Sequence, residues 1–200
     1  MTSYLTHEVT TMKINKLPLS LVFMLTWFSS LPATAADLKA GEEKAQSCVG
    51  CHGPQGNSNN AQFPTLAGQQ PIYLAIQLKA FKEGSRENPM MNGLAAGLSD
   101  EDIDNLAAYF ASQEAKSAGG GDPDLAKQGA SKFNMCMGCH GPSAKGNGQF
   151  PRLAGQYPAY IVKQLKSFKD GTRKSGPMQA MAANLTDEEM TALASYLGSL

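Results

Sequence analysis

Apolar positions along the chain fall into two regimes. From Leu17 to Leu31 the chain is largely apolar behind Lys13 and Lys16, whereas from residue 37 onward apolar positions recur three and four apart in short blocks separated by Gly, Pro and Asn. The first such block predicts a helix over 38–48, with a counterpart over 123–136. A second begins at Pro71 or Pro158, covers 71–82 and 158–169, and stops before Gly84 or Gly171. A third opens with Ser99 or Thr186 as N-cap and an acidic residue, Asp102 or Glu189, three positions on. Its apolar face carries Ile103, Leu106 and Phe110, or Met190, Leu193 and Leu197. No segment sustains period-two alternation, so the expected fold class is all-α with no sheet.

These paired blocks are an internal repeat. Residues 63–86 lie over 150–173 at an offset of 87 with 15 of 24 positions identical, and the same offset superposes Leu98-Ser99-Asp100-Glu101 on Leu185-Thr186-Asp187-Glu188. Domains are expected over 37–115 and 124–200, joined by a flexible Gly-rich linker at 116–123. A unit of roughly 80 residues with three short helices has a thin core, so something other than protein must fill it.

The apolar run before residue 37 reads as a secretory signal peptide over 1–36, with Ala33-Thr34-Ala35-Ala36 as cleavage site. About fifteen apolar residues, broken by Pro18 and Ser20, fall short of the ~20 of a membrane span, though an uncleaved anchor is the alternative. Export leaves two histidines, His52 and His140.

The 200 residues carry 17 basic and 17 acidic side chains, which gives no field to hold nucleic acid. The balance conceals a dipole. Residues 37–117 hold six basic and ten acidic groups, and residues 118–200 hold nine and six.

All four cysteines lie in two clusters, Cys48-Val49-Gly50-Cys51-His52 and Cys136-Met137-Gly138-Cys139-His140. Cys-x-x-Cys-His is the attachment signal for c-type haem: two thiols reach two vinyl groups, and the adjacent histidine stands over the iron. A thioredoxin-like dithiol expects a strand–helix–strand setting that is missing. Zinc needs four ligands where each copy offers three, and simple disulfides leave the histidines unexplained. Two covalent haem c groups are therefore expected on Cys48, Cys51, Cys136 and Cys139. With no third histidine left, the sixth ligand of each iron is something other than histidine or is absent, and methionine is the usual partner. Met91 and Met178 superpose at the repeat offset, each in a Pro/Gly-containing loop, while Met90 falls on Pro177 and Met181 on Leu94. Core filling is the other reading of this pair.

The two units, CVGCHG…FPTLAGQ…NPMMNGLAAGLSDEDI and CMGCHG…FPRLAGQ…GPMQAMAANLTDEEM, resemble the di-haem class I cytochromes c of bacteria, specifically the cytochrome c4 family, from Asp37 to Leu200. The resemblance implies two tandem class I cytochrome c domains with His52/Met91 and His140/Met178 on iron. It implies a periplasmic carrier of single electrons between a quinol-oxidising complex, quinol–cytochrome c reductase, and a terminal oxidase or reductase. A monomer, free or membrane-associated, is expected. The resemblance also implies a proline carbonyl accepting from each histidine, for which Pro64 and Pro151 fit. Arg86 and Arg173 are candidates to pair with haem propionates. Phe63, Leu66, Tyr73, Leu78, Phe81, Leu94 and their counterparts are candidates for the haem lining. A di-haem peroxidase needs two unlike haems, which matched methionines argue against, and a docked subunit of a larger oxidase or dehydrogenase is the third reading.

Overall fold

A computed structural model describes residues 35–200; the leader expected over 1–36 lies almost wholly outside the described residues. Within them the chain is helical with one isolated bridge, Asn147 to Phe150, and no strand. The first half comprises α1 (Leu38–Ala45), α2 (Val49–His52), α3 (Pro71–Lys82), α4 (Pro89–Ala96) and α5 (Asp100–Ser112). The second repeats it as α6 (Pro123–Phe133), α7 (Met137–His140), α8 (Pro158–Lys169), α9 (Gly176–Ala183) and α10 (Asp187–Ser199).

Local chemistry sets these limits. The Asp37 side chain accepts from the amides of Lys39 and Ala40, and Asp122 does the same for Asp124 and Leu125 ahead of Pro123. Pro71 and Pro158 open α3 and α8, where a missing N–H costs nothing. Both capping boxes form: Ser99 and Asp102 bond reciprocally, as do Thr186 and Glu189.

Two expectations about the helices need correction. The helix running into each cysteine cluster is broken: α1 passes through a 3-10 turn at Gln46–Cys48 into α2, and a turn over 134–136 separates α6 from α7. The loops expected around Met91 and Met178 are instead the helices α4 and α9. Asn-Pro and Gly-Pro read as loop punctuation, yet Pro89 and Pro177 occupy first-turn positions, where proline is tolerated.

In each half the first helix crosses the last. Ala45, Leu74, Leu106 and Phe110 form one core, and Phe133, Ile161, Met190, Leu193 and Leu197 the other. Backbones approach closely at these crossings because glycine stands there. A Cβ on Gly41 would press into the Asn105 carbonyl and Tyr109, and one on Gly129 into the Ala192 carbonyl and Tyr196. Lys44 bonds Asp102 at 2.9 Å and Lys132 bonds Glu189, so the same ion pair ties the first helix to the capping residue of the last in both halves.

The stretch expected to be a flexible linker is held. Lys116 N–H donates to Asn57 Oδ1 at 2.8 Å, Ala118 N–H to the Gly155 carbonyl at 2.8 Å, and Ser117 Oγ to the Gly198 carbonyl at 3.0 Å. Gly121 lies so near Ser195 that a side chain there would collide with its hydroxyl. The glycines serve close approach as much as freedom.

Gly129→Ala is expected to destabilise the second half by about 3 kcal/mol, because a rigid carbonyl blocks the added methyl; thermal unfolding followed by circular dichroism measures it.

Candidate haem-binding sites

Cys48 stands at the N-cap of α2, Cys51 and His52 complete its one turn, and Gly53 at φ +74° ends it. α7 presents Cys136, Cys139, His140 and Gly141 at φ +77° in the same way. Residues three apart share a face, so both thiols of each pair emerge together with the imidazole beside them. All four thiols are free. Burial pushes those of Cys48 and Cys136 up, against a Ser47 hydrogen bond that lowers the former, so both stay protonated near neutrality. A neutral thiol suits an uncharged thioether better than thiolate ligation of zinc. Among the described residues no group of three or more His, Cys, Asp or Glu is placed to hold a metal ion.

The histidines are the most constrained members. His52 is 8% exposed and His140 6%. Nδ1 of His52 donates to the Pro64 carbonyl and Nδ1 of His140 to the Pro151 carbonyl, each at 2.9 Å. A carbonyl only accepts, so Nδ1 carries the proton and the Nε2 lone pair is free. Burial lowers the pKa of both rings, against the pull of the proline carbonyls, which keeps the imidazoles neutral. Nε2 meets no protein partner among the described residues, yet no enclosed side-chain nitrogen there lacks one, so it opens to accessible space. Phe63 and Phe150 turn their rings edgewise to His52 and His140 at 6.3 and 6.4 Å between centroids.

Met91 and Met178 are half-buried on α4 and α9. Their supports differ. Asn88 Oδ1 accepts from Met91 N–H at 3.0 Å, and Asn92 Oδ1 accepts from Asn88 N–H at 2.7 Å. Asn92 Nδ2 also donates to the Phe81 and Arg86 carbonyls at 2.7 and 2.9 Å. In α9, Ser175 makes no side-chain cap bond, and among the described residues Gln179 Oε1 accepts only from Ser175 N–H, at 3.3 Å. Sequence reasoning missed Asn88 and Asn92, although Asn before Pro is itself an N-cap signal.

Both arginines join the two halves. Arg86 donates to Gln77 within its own half at 2.7 Å, and to Tyr160 and Gln164 of the other half at 3.3 and 3.0 Å. Arg173 mirrors it, donating to Gln164 at 2.6 Å and to Tyr73 and Gln77 at 3.0 and 2.9 Å. Each guanidinium also lies 4.5 Å from a ring centroid, Phe81 or Phe168. Tyr73 and Tyr160, expected as lining, thus place their hydroxyls in a bridge between the halves. Burial raises the Tyr73 phenol, but Arg173 and Arg86 outweigh it and hold it below its ordinary value.

The residues fit haem c. Paired thiols and an open neutral nitrogen stand beside apolar side chains, Phe63, Leu66 and Leu78, that the protein's own packing leaves half-buried, and Leu94 is 52% exposed. Twice over, this geometry defines a di-haem cytochrome c, an electron-transfer protein with two covalently bound haem c groups. The Cytochrome c family model matches residues 38–114 and 126–200. Cytochrome c4 of Pseudomonas aeruginosa is 41% identical over 202 residues, covering 94% of this chain and all of the relative. A thiosulfate dehydrogenase electron acceptor of Thiomonas intermedia is 37% identical over 183 residues, covering 84% of each chain. The crystal structure of reduced recombinant cytochrome c4 from Pseudomonas stutzeri superposes with a TM-score of 0.78 at 40% identity, covering 83% of this chain and all of that one. The chain belongs to the cytochrome c4 family.

The double substitution Cys48→Ser with Cys51→Ser is expected to halve the covalent haem per chain, read as pyridine haemochrome absorbance and as the loss of one haem from the intact mass.

Proposed function

We propose that this protein carries single electrons in the periplasm from a quinol-oxidising respiratory complex, quinol–cytochrome c reductase, to a terminal oxidase or reductase. It works as a monomer, free or membrane-associated, after loss of a leader over 1–36. Cytochrome domains over 37–115 and 124–200, joined by 116–123, hold their irons through His52 with Met91 and His140 with Met178. Each haem supplies an iron that changes by one electron between ferric and ferrous states.

The observation that carries the reading is the equivalence of the two sites. Both imidazoles have Nδ1 fixed on a proline carbonyl and Nε2 free, and both halves offer a half-buried methionine at the same helical position. With His52, Met91, His140 and Met178 holding the two irons, no ligand position would be left open to peroxide, which would argue for a carrier over a di-haem peroxidase. Fixed ligands change little between oxidation states, so little reorganisation accompanies transfer. The charge division supports separate docking of donor and acceptor. Lys163, Lys166, Lys169 and Lys174 lie on and after α8, whereas Asp100, Glu101, Asp102 and Asp104 open α5. Among the described residues no helix is long and apolar enough to cross a membrane.

A second reading of the donor comes from the relatives named thiosulfate dehydrogenase electron acceptors, 37% and 38% identical to this chain. On that reading thiosulfate dehydrogenase, in place of a quinol-oxidising complex, supplies the electrons. Reduction by quinol-energised membranes measured against reduction by thiosulfate with its dehydrogenase separates the two.

Met91→Ala and Met178→Ala are each expected to remove half of the methionine-to-iron charge-transfer band and to lower one reduction potential while leaving the other. Retention of the full band in either variant would refute the ligand assignment. Exchange with membrane partners should slow as ionic strength rises past 0.1 M, where the screening length falls to ~10 Å; stopped-flow rates across a salt series check this.

A further inference from the structure

One buried glutamine in each half reaches into the other. Gln156, 8% exposed, accepts on Oε1 from Thr65 N–H at 3.0 Å and donates from Nε2 to the Thr65 carbonyl at 3.0 Å. Gln69, 6% exposed, treats Arg152 alike: Oε1 accepts from its N–H at 2.6 Å and Nε2 donates to its carbonyl at 3.0 Å. This two-way pairing fixes each amide's orientation, since an N–H needs the oxygen and a C=O needs the nitrogen. A neighbouring backbone N–H, of Tyr157 or Gln70, holds each Oε1 from its own side.

The residues they hold follow Pro64 and Pro151. The N–H of Thr65 therefore belongs to the same peptide plane as the Pro64 carbonyl that accepts from His52, and the N–H of Arg152 to the plane that accepts from His140. A peptide that donates through its N–H is polarised into a stronger acceptor at its oxygen, most of all where water is excluded. A stronger acceptor on Nδ1–H makes the imidazole a stronger donor at Nε2 and favours the ferric state.

We propose that Gln156 and Gln69 are crossed positioning residues: each strengthens, through one peptide group, the acceptor that orients the proximal histidine of the opposite half. The donor strength at either haem then depends on the docking of the other half. The inference rests on the reading of His52 and His140 as axial ligands.

The test uses the mature di-haem protein, with each haem's reduction followed by its own hyperfine-shifted NMR resonances during a potentiometric titration. Gln156→Leu should move the first-half haem toward the ferrous state by about twofold in its reduction equilibrium, the scale of a 10–30% cooperative change in one hydrogen bond, and leave the second haem unmoved. Gln69→Leu should do the reverse. Gln156→Met fills the same space without either hydrogen-bonding group, so it should shift the first haem the same way as leucine, and it carries the test should the leucine variant fail to mature. A shift confined to the substituted half, equal at both haems, or toward ferric in the leucine variants, as from water entering an opened interface, would overturn the proposal. Loss of the histidine–methionine spectral signature in the unsubstituted protein would sink the ligand reading itself. Intact signatures with no crossed shift would sink the glutamine inference alone.

Discussion

A buried imidazole has one proton to give, and in both halves of this chain it gives it to a proline carbonyl. That bond settles three matters at once. It fixes the tautomer, so the other nitrogen offers a lone pair; it fixes the ring plane, since carbonyl and ring must meet at 2.9 Å; and it removes an otherwise unsatisfied donor from a buried site. The remainder of each half supports this geometry. The single turn of α2 or α7 sets the histidine beside its cysteines, and the glycine that ends the turn swings the chain toward the loop bearing the proline. The crossing of first and last helices supplies the rigid floor.

The polar contacts between the halves are built around the same region. Glutamine side chains reach the peptides that follow each proline, and arginine side chains link α3 with α8 through Gln77, Gln164 and two tyrosine hydroxyls. Buried polar groups at such a contact have to be fully paired to be tolerated. Among the described residues none is left over.

Much of this was legible in the chain because duplication prints each signal twice. Cap residues, prolines at helix starts and the histidine clusters each occur at matched positions, so local chemistry and repeat reinforce one another. What escaped was what depends on distance in sequence. The bridge that Arg86 and Arg173 make between the halves is one such feature, because nothing in a linear pattern places Tyr160 or Gln77 within their reach. The helices α4 and α9 escaped because eight residues opening on proline carry too little periodicity to stand apart from a loop. The glycines at 119–121 suggested freedom, whereas Gly121 lies where only a missing side chain lets Ser195 approach.

The contacts between the halves are reciprocal: what the first gives the second, the second returns at the equivalent position. That is the isologous arrangement of a twofold homodimer, in which one patch meets its own copy. Covalent tethering makes such a pairing independent of protein concentration. It also releases the two copies from having to remain alike, since a true homodimer must apply every change to both sides. The divergence is visible in the Asn88–Asn92 support that only α4 has and in the opposite charge excess of the two halves. Fusion turned a symmetric pair into one molecule with a front and a back.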